Sequence, residues 1–105
     1  MTEEEAKALG RASIFHSATS IETFEKRGGS TKDFNKRVNL WCLYADALEI
    51  PRHLQTAFMQ EYIRIGIFGF SDKECLEASE LCKVYNGIMT KAFKKLLRRN
   101  KRLLD

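Results

Sequence analysis

Residues 34–48, FNKRVNLWCLYADAL, constrain the fold of this chain more than any other stretch. Placed on a helix at 100° per residue, Phe34, Val38, Trp41, Ala45 and Leu48 form one tight stripe, the spacing of a core face. Leu40, Leu43 and Ala47 lie opposite and Tyr44 lies between, so that from Val38 onward only Asn39 and Asp46 suit water. A helix apolar nearly all round must be wrapped by other elements or held in a subunit interface. The sequence therefore predicts an all-α fold gathered around this helix, with Leu40, Leu43, Tyr44 and Ala47 as the positions left for a second copy of the chain or another partner to cover.

The rest of the chain supplies the wrapping. Thr2 with Glu5 has the form of a capping box, and Glu3 to Glu5 suit the positive end of a helix dipole. A first helix should run from here to about Arg27, with Ile14, Ala18, Ile21 and Phe24 as its core stripe. Gly10 weakens its early turns, Ser20 is available as a second cap should it break, and Gly28-Gly29 ends it. Ser30-Thr31 ahead of Asp33 restarts the chain as the central helix; with no GKS or GKT following, the glycines are interhelix punctuation and not a phosphate loop. Ile50-Pro51 closes the central helix near Glu49, Pro51 opening the first turn of the next. A third helix carries Leu54, Phe58, Tyr62 and Ile65 and stops near Gly66, leaving 65–70 as a connector whose Phe68 and Phe70 fill the end of the bundle. Ser71 with Glu74 is a second capping box, opening a helix over 72–103 on which Ala78, Leu81, Tyr85, Ile88, Met89, Ala92 and Leu96 share one direction and Gly87 marks a bend.

A chain of 105 residues, 44% hydrophobic and 30% charged, fits one globular domain, here residues 1–105 as a small bundle of about four helices with a long basic C-terminal helix. It contains no membrane-spanning run of roughly 18 apolar residues, and an acidic start is unlike a secretory leader. Three cysteines, Cys42, Cys75 and Cys82, are an odd number without framework spacing. A cytoplasmic protein with free thiols is the expectation.

Charge is the feature that points toward function. Residues 1–90 hold 11 Lys/Arg against 13 Asp/Glu, whereas 91–105 hold seven Lys/Arg against Asp105 alone. On the helical wheel Lys91, Lys94, Lys95, Arg98, Lys101 and Arg102 form one face with Arg99 at its edge, opposite Ala92, Phe93, Leu96 and Leu103. Like charges at i, i+4, such as Lys91/Lys95 and Lys94/Arg98, each cost about 0.2–0.5 kcal/mol in an exposed helix. An anionic partner relieves that repulsion, whether a phosphate backbone, an acidic protein surface or lipid headgroups.

Catalytic spacing is missing. His16 and His53 stand outside any HExxH or CxxC pattern, and no metal or cofactor is expected; a Cys/His pair could form only across the fold. The aromatics fall on core stripes and do not interleave with the basic residues, which argues against sequence-specific RNA reading, and no helix pair has the short turn of a helix-turn-helix. The expected function is a non-enzymatic adaptor, assembly factor or inhibitor that docks on a larger protein or nucleoprotein. Its contact residues would be Lys91, Lys94, Lys95, Arg98, Arg99, Lys101 and Arg102 for charge, and Tyr44 and Phe93 for apolar contact. The competing expectation is a nucleic-acid-binding accessory protein that lays the same basic face on phosphates.

Overall fold

The computed structural model describes residues 1–28 and 37–99, the side chains of 37–39 and 99 excepted. Among them the chain forms four α-helices and no strand: α1 (Glu3–Lys26), α2 (Arg37–Ala47), α3 (Gln55–Phe68) and α4 (Asp72–Arg99), with a single 3₁₀ turn at Arg52–Leu54. The all-α reading holds. Phe34 of the anticipated central stripe, the restart at Ser30 to Asp33, and Lys101, Arg102 and Leu103 lie outside the described residues, as do the side chains of Val38 and Arg99.

Both capping boxes form. Thr2 Oγ1 accepts from the Glu5 amide while the Glu5 carboxylate accepts from the Thr2 amide, each at 3.1 Å. Ser71 and Glu74 repeat the exchange at the start of α4. α1 runs unbroken to Lys26, and Gly28 follows its C-cap with φ +87°, the left-handed conformation that ends a helix.

The organising element is α1 and not α2. It packs most extensively against α3 and α4, and also touches α2. Its core stripe differs from the expected one: Ile14 and Ile21 are buried, but Ala18 is exposed and Phe24 only half-buried. Beside Leu9, Ile14 and Ile21, the face that enters the core carries a stripe of small residues, Ala6, Gly10, Ser13 and Ser17, at three- and four-residue spacing. Small side chains let a neighbouring helix come close, and Gly10 lies directly against the backbone of Phe58 on α3.

α2 contributes Leu40, Tyr44 and Ala45 to the core, joined by Leu48 just past its end. Leu40 and Tyr44 are thus corrected from candidate surface positions to buried ones, because α1, α3 and α4 cover the side expected to be open. Leu43 and Ala47 stay half-buried at its edge. The helix closes through backbone geometry and before Pro51 acts. The Glu49 amide donates to Asp46 O at 3.1 Å and the Ile50 amide to Ala45 O at 3.0 Å, with Glu49 at φ +55°. This is a Schellman closure with glutamate where glycine is usual, and Ile50 is its buried apolar anchor. Pro51 is extended ahead of the 3₁₀ turn and does not sit in a helical first turn.

α3 passes through Gly66 and ends at Gly69, φ +79°, whose amide donates to Ile65 O. The extra turn carries Ile67 and Phe68 outward: Phe68 is 81% exposed and does not fill the bundle end. Phe70 does pack, edge-on against Phe15 with ring centroids 5.8 Å apart. α4 runs as a single helix from Asp72 to Arg99. Ala78, Met89 and Ala92 are buried and Leu81, Tyr85 and Leu96 half-buried, as their spacing predicts, whereas Ile88 is 43% exposed.

Candidate functional site

The C-terminal half of α4 lies between two grooves. On one side, toward α2, a depression of about 470 Å³ has Leu43, Ala47, Ile88 and Ala92 as its apolar floor and Asp46, Lys91 and Lys95 at its rim. On the other side, toward α1, a shallower groove of about 300 Å³ has His16, Ser20, Thr90 and Asn86 along its polar wall, Phe93 and Leu97 along its apolar one, and Arg27 and Lys94 among its lining residues.

Four of the expected charge-bearing residues are described in full. Lys91, Lys94, Lys95 and Arg98 are all exposed, and none of them forms an ion pair with another described residue. The contrast with the other end of the same helix is instructive. There Glu74 binds Arg64, Glu77 lies 3.9 Å from Arg11, and Glu80 takes Lys83 at 3.1 Å, so each of these three glutamates has a cationic partner, although Asp72 and Lys73 form no ion pair with another described residue. The repulsion inferred from sequence is thus left uncompensated within the described part of the fold.

The two apolar contact residues require correction. Tyr44 is 0% exposed and Phe93 is 6% exposed; both are core residues, Tyr44 offering no surface to a partner and Phe93 only an edge in the groove toward α1. Their rings close around His16, which sits edge-on to each, with centroids 5.7 Å from Tyr44 and 6.5 Å from Phe93. Apolar surface next to the cations is supplied instead by Leu43, Ala47 and Ile88. Leu43 and Ala47 are legible in the sequence as unclaimed positions of α2; Ile88 borders the core stripe on the wheel and so groups with it there, although it is 43% exposed.

His16, isolated from any motif in the sequence, is a hub in the fold. Its Nδ1 is 2.8 Å from the Tyr44 hydroxyl and 3.4 Å from Ser20 Oγ, and its Nε2 is 3.3 Å from Thr90 Oγ1. Thr90 donates onward to Asn86 Oδ1 at 3.4 Å, which leaves its oxygen to accept from the ring. The arrangement fits a neutral imidazole protonated at Nε2, with Tyr44 donating to Nδ1. Burial lowers the His16 pKa below its ordinary value and pushes the Tyr44 phenol up. Beside it Tyr62 donates to Ser17 Oγ at 3.2 Å and Ser17 donates to Ile14 O at 2.9 Å. No buried side-chain oxygen or nitrogen among the described residues lacks a partner, so the seam specifies how α1, α2, α3 and α4 meet.

Two of the three thiols, Cys82 and Cys42, are shifted away from the reactive thiolate. Cys82 donates to Ala12 O at 3.0 Å, and burial raises its pKa to about 11, opposite to the shift of an activated cysteine. Cys42 is exposed and is also raised, by partial burial and by the charge of Asp46. Among the described residues no cluster of His, Cys, Asp and Glu has the geometry to hold a metal ion, and no helix is long and apolar enough to cross a membrane. Comparison of the chain with known protein families, curated proteins and solved structures finds no match.

Proposed function

We propose that this protein is a macromolecule-binding module, an adaptor, assembly factor or inhibitor, that docks on a larger protein or nucleoprotein through the basic face of α4 and the groove beside it. The observation that carries this reading is the juxtaposition of Lys91 and Lys95, which lack ion partners among the described residues, with the apolar floor formed by Leu43, Ala47 and Ile88. Cations flanking accessible apolar surface suit a protein partner, since phosphate alone would use only the charge.

The test is affinity capture from extract at low salt, with and without nuclease, using the wild-type chain and the Lys94→Glu/Arg98→Glu variant. Both positions are exposed, so the variant should keep the wild-type circular dichroism spectrum and melting behaviour. A discrete protein that survives nuclease and is lost from the variant is the expected result. Recovery abolished by nuclease would transfer the function to nucleic-acid binding by the same face. Equal recovery by wild type and variant would remove the α4 face as the docking surface.

A further inference from the structure

We infer that the groove between α2 and α4 receives an amphipathic helix of a partner protein, one whose apolar ridge is flanked by carboxylates on the side facing α4 and by a basic residue on the side facing α2. This deepens the docking reading above and rests on it.

The spacing of the walls supplies the first support. Leu43 and Ala47 stand one helical turn apart on α2, and Ile88 and Ala92 one turn apart on α4. Val84, 73% exposed, extends the α4 ridge by a further turn. Ridges of residues four apart on two adjacent helices leave a channel that accepts side chains spaced three or four apart, which is how a third helix seats itself. An extended strand would look for an open sheet edge, and the described residues form no strand.

Charge selects the occupant and its orientation. Lys91 and Lys95 line the α4 side and Asp46 the α2 side, and none of the three forms an ion pair with another described residue. Cations on one rim and an anion on the other match a helix with Glu or Asp along one flank and a Lys or Arg on the opposite flank. A uniformly anionic polymer would meet the cations and be repelled by Asp46. Rim charges of this kind govern the choice of partner and the rate of encounter more than they govern total affinity.

The experiment uses the full-length chain and a fluorescent synthetic helical peptide of about 18 residues, long enough to hold some helix in water. It carries Leu at i, i+4, i+7 and i+11, with Glu on one flank and one Lys on the other. Anisotropy titration should give at least about tenfold tighter binding than a scrambled peptide of the same composition, a difference of one rim contact pair or one anchoring side chain. Amide shift changes should centre on Leu43, Ala47, Val84 and Ile88. Lys91→Glu/Lys95→Glu should weaken binding about tenfold or more, and a peptide with both flanks reversed should recover affinity for Lys91→Glu/Lys95→Glu/Asp46→Lys. That exchange guards against misfolding, since a collapsed variant cannot regain affinity by swapping charges on the ligand.

Equal affinity for patterned and scrambled peptides overturns the inference, as do shifts confined to Lys94 and Arg98, or failure of the charge exchange. Loss of the partner from Lys94→Glu/Arg98→Glu, with no peptide binding in the groove, would leave the docking function standing and discard the helix as occupant. Peptide binding in the groove with no partner captured from extract would support the helix and remove the broader reading of the α4 face.

Discussion

A β-carbon placed on Gly10 would lie 2.5 Å from the carbonyl oxygen of Phe58. α1 and α3 therefore cross with backbone against backbone, and hydrogen is the largest side chain the crossing admits. The obstruction is main chain and not the flexible end of a side chain, so it can be relieved only by moving one helix. Gly10→Ala should lower stability by about 2–3 kcal/mol despite alanine's better helix propensity, since overpacking at such a contact outweighs a propensity gain of about 1 kcal/mol. Urea denaturation measures the change. A neutral or stabilising result would mean that the two helices do not meet this closely.

Gly87 is the opposite case on α4, because nothing lies within 4 Å of an added β-carbon there and the helix continues through it. Gly87→Ala should raise stability by about 0.5–1 kcal/mol, the helix-interior difference between the two residues. Any loss would show that the residue serves a bend or a contact.

At Glu49 the same reasoning favours glycine. Its φ of +55° places a side chain in the left-handed region, which costs about 1–2 kcal/mol for an L-residue, while the side chain itself is exposed. Glu49→Gly keeps both Schellman hydrogen bonds and should stabilise the chain by about 1 kcal/mol in thermal or urea unfolding. Glu49→Val, which tolerates positive φ least, should move stability the other way.

His16 sets a pH dependence whose sign follows from burial. Its pKa is lowered in the folded chain, so between the folded value and the ordinary value of 6.5 the unfolded chain binds more protons. Stability is fully present above pH 6.5 and falls as pH drops from there toward the folded pKa, levelling once both states are protonated. Glu5, Glu22, Glu61 and Glu74 are all lowered from the ordinary carboxylate value of 4.5, so their losses come at more acid pH. His16→Gln can still accept from Tyr44 and donate to Thr90 but cannot titrate. The expected result is a lower melting temperature at pH 7 with a flatter profile from pH 7 to 5; identical slopes in the two proteins would mean that His16 is not held neutral by the fold.

Much of this architecture is written in local signals. Thr2 with Glu5 and Ser71 with Glu74 are recognisable as boxes because the interaction spans only four residues, and the all-round apolarity of α2 correctly announces a helix needing cover. What escaped is tertiary. The small stripe of Ala6, Gly10, Ser13 and Ser17 carries little hydrophobicity, so a scale that rewards large side chains passes over the most buried face of α1. His16 and Tyr44, 28 residues apart, meet only once two helices pack, and that contact turns a presumed interface tyrosine into a core one. The basic face of α4 was visible because charge periodicity survives without neighbours, whereas its apolar companions Leu43 and Ile88 become a groove only when α2 is placed beside α4.

The remaining expectation concerns the ionic cluster joining three helices. Glu61 of α3 accepts from Arg11 of α1 at 3.4 Å and from Arg64 at 2.8 Å, and Arg64 also reaches Glu74 of α4. Burial works to raise the Glu61 pKa, but the hydrogen bonds and charges of the two arginines outweigh it and hold it low. For Glu74, the hydrogen bond from Arg64, with further help from the Ser71 amide, brings it down to about 2. Groups lowered in this way stabilise the fold above pH 4.5, and that contribution drains away as pH falls toward 2. Position decides which arginine matters more. The Arg11 and Glu61 side chains are 15% and 16% exposed, whereas Arg64 is 42% exposed and screened by solvent. Arg11→Ala should therefore cost about 1–2 kcal/mol, between the values for exposed and fully buried pairs, and Arg64→Ala less than about 1 kcal/mol, shrinking further in high salt. Because both arginines hold Glu61, the double variant should lose more than the sum of the two, the second removal leaving that half-buried carboxylate unpaired. A double-mutant cycle by urea denaturation at pH 7 reads the coupling directly, and strict additivity would show that Glu61 is held by one arginine alone.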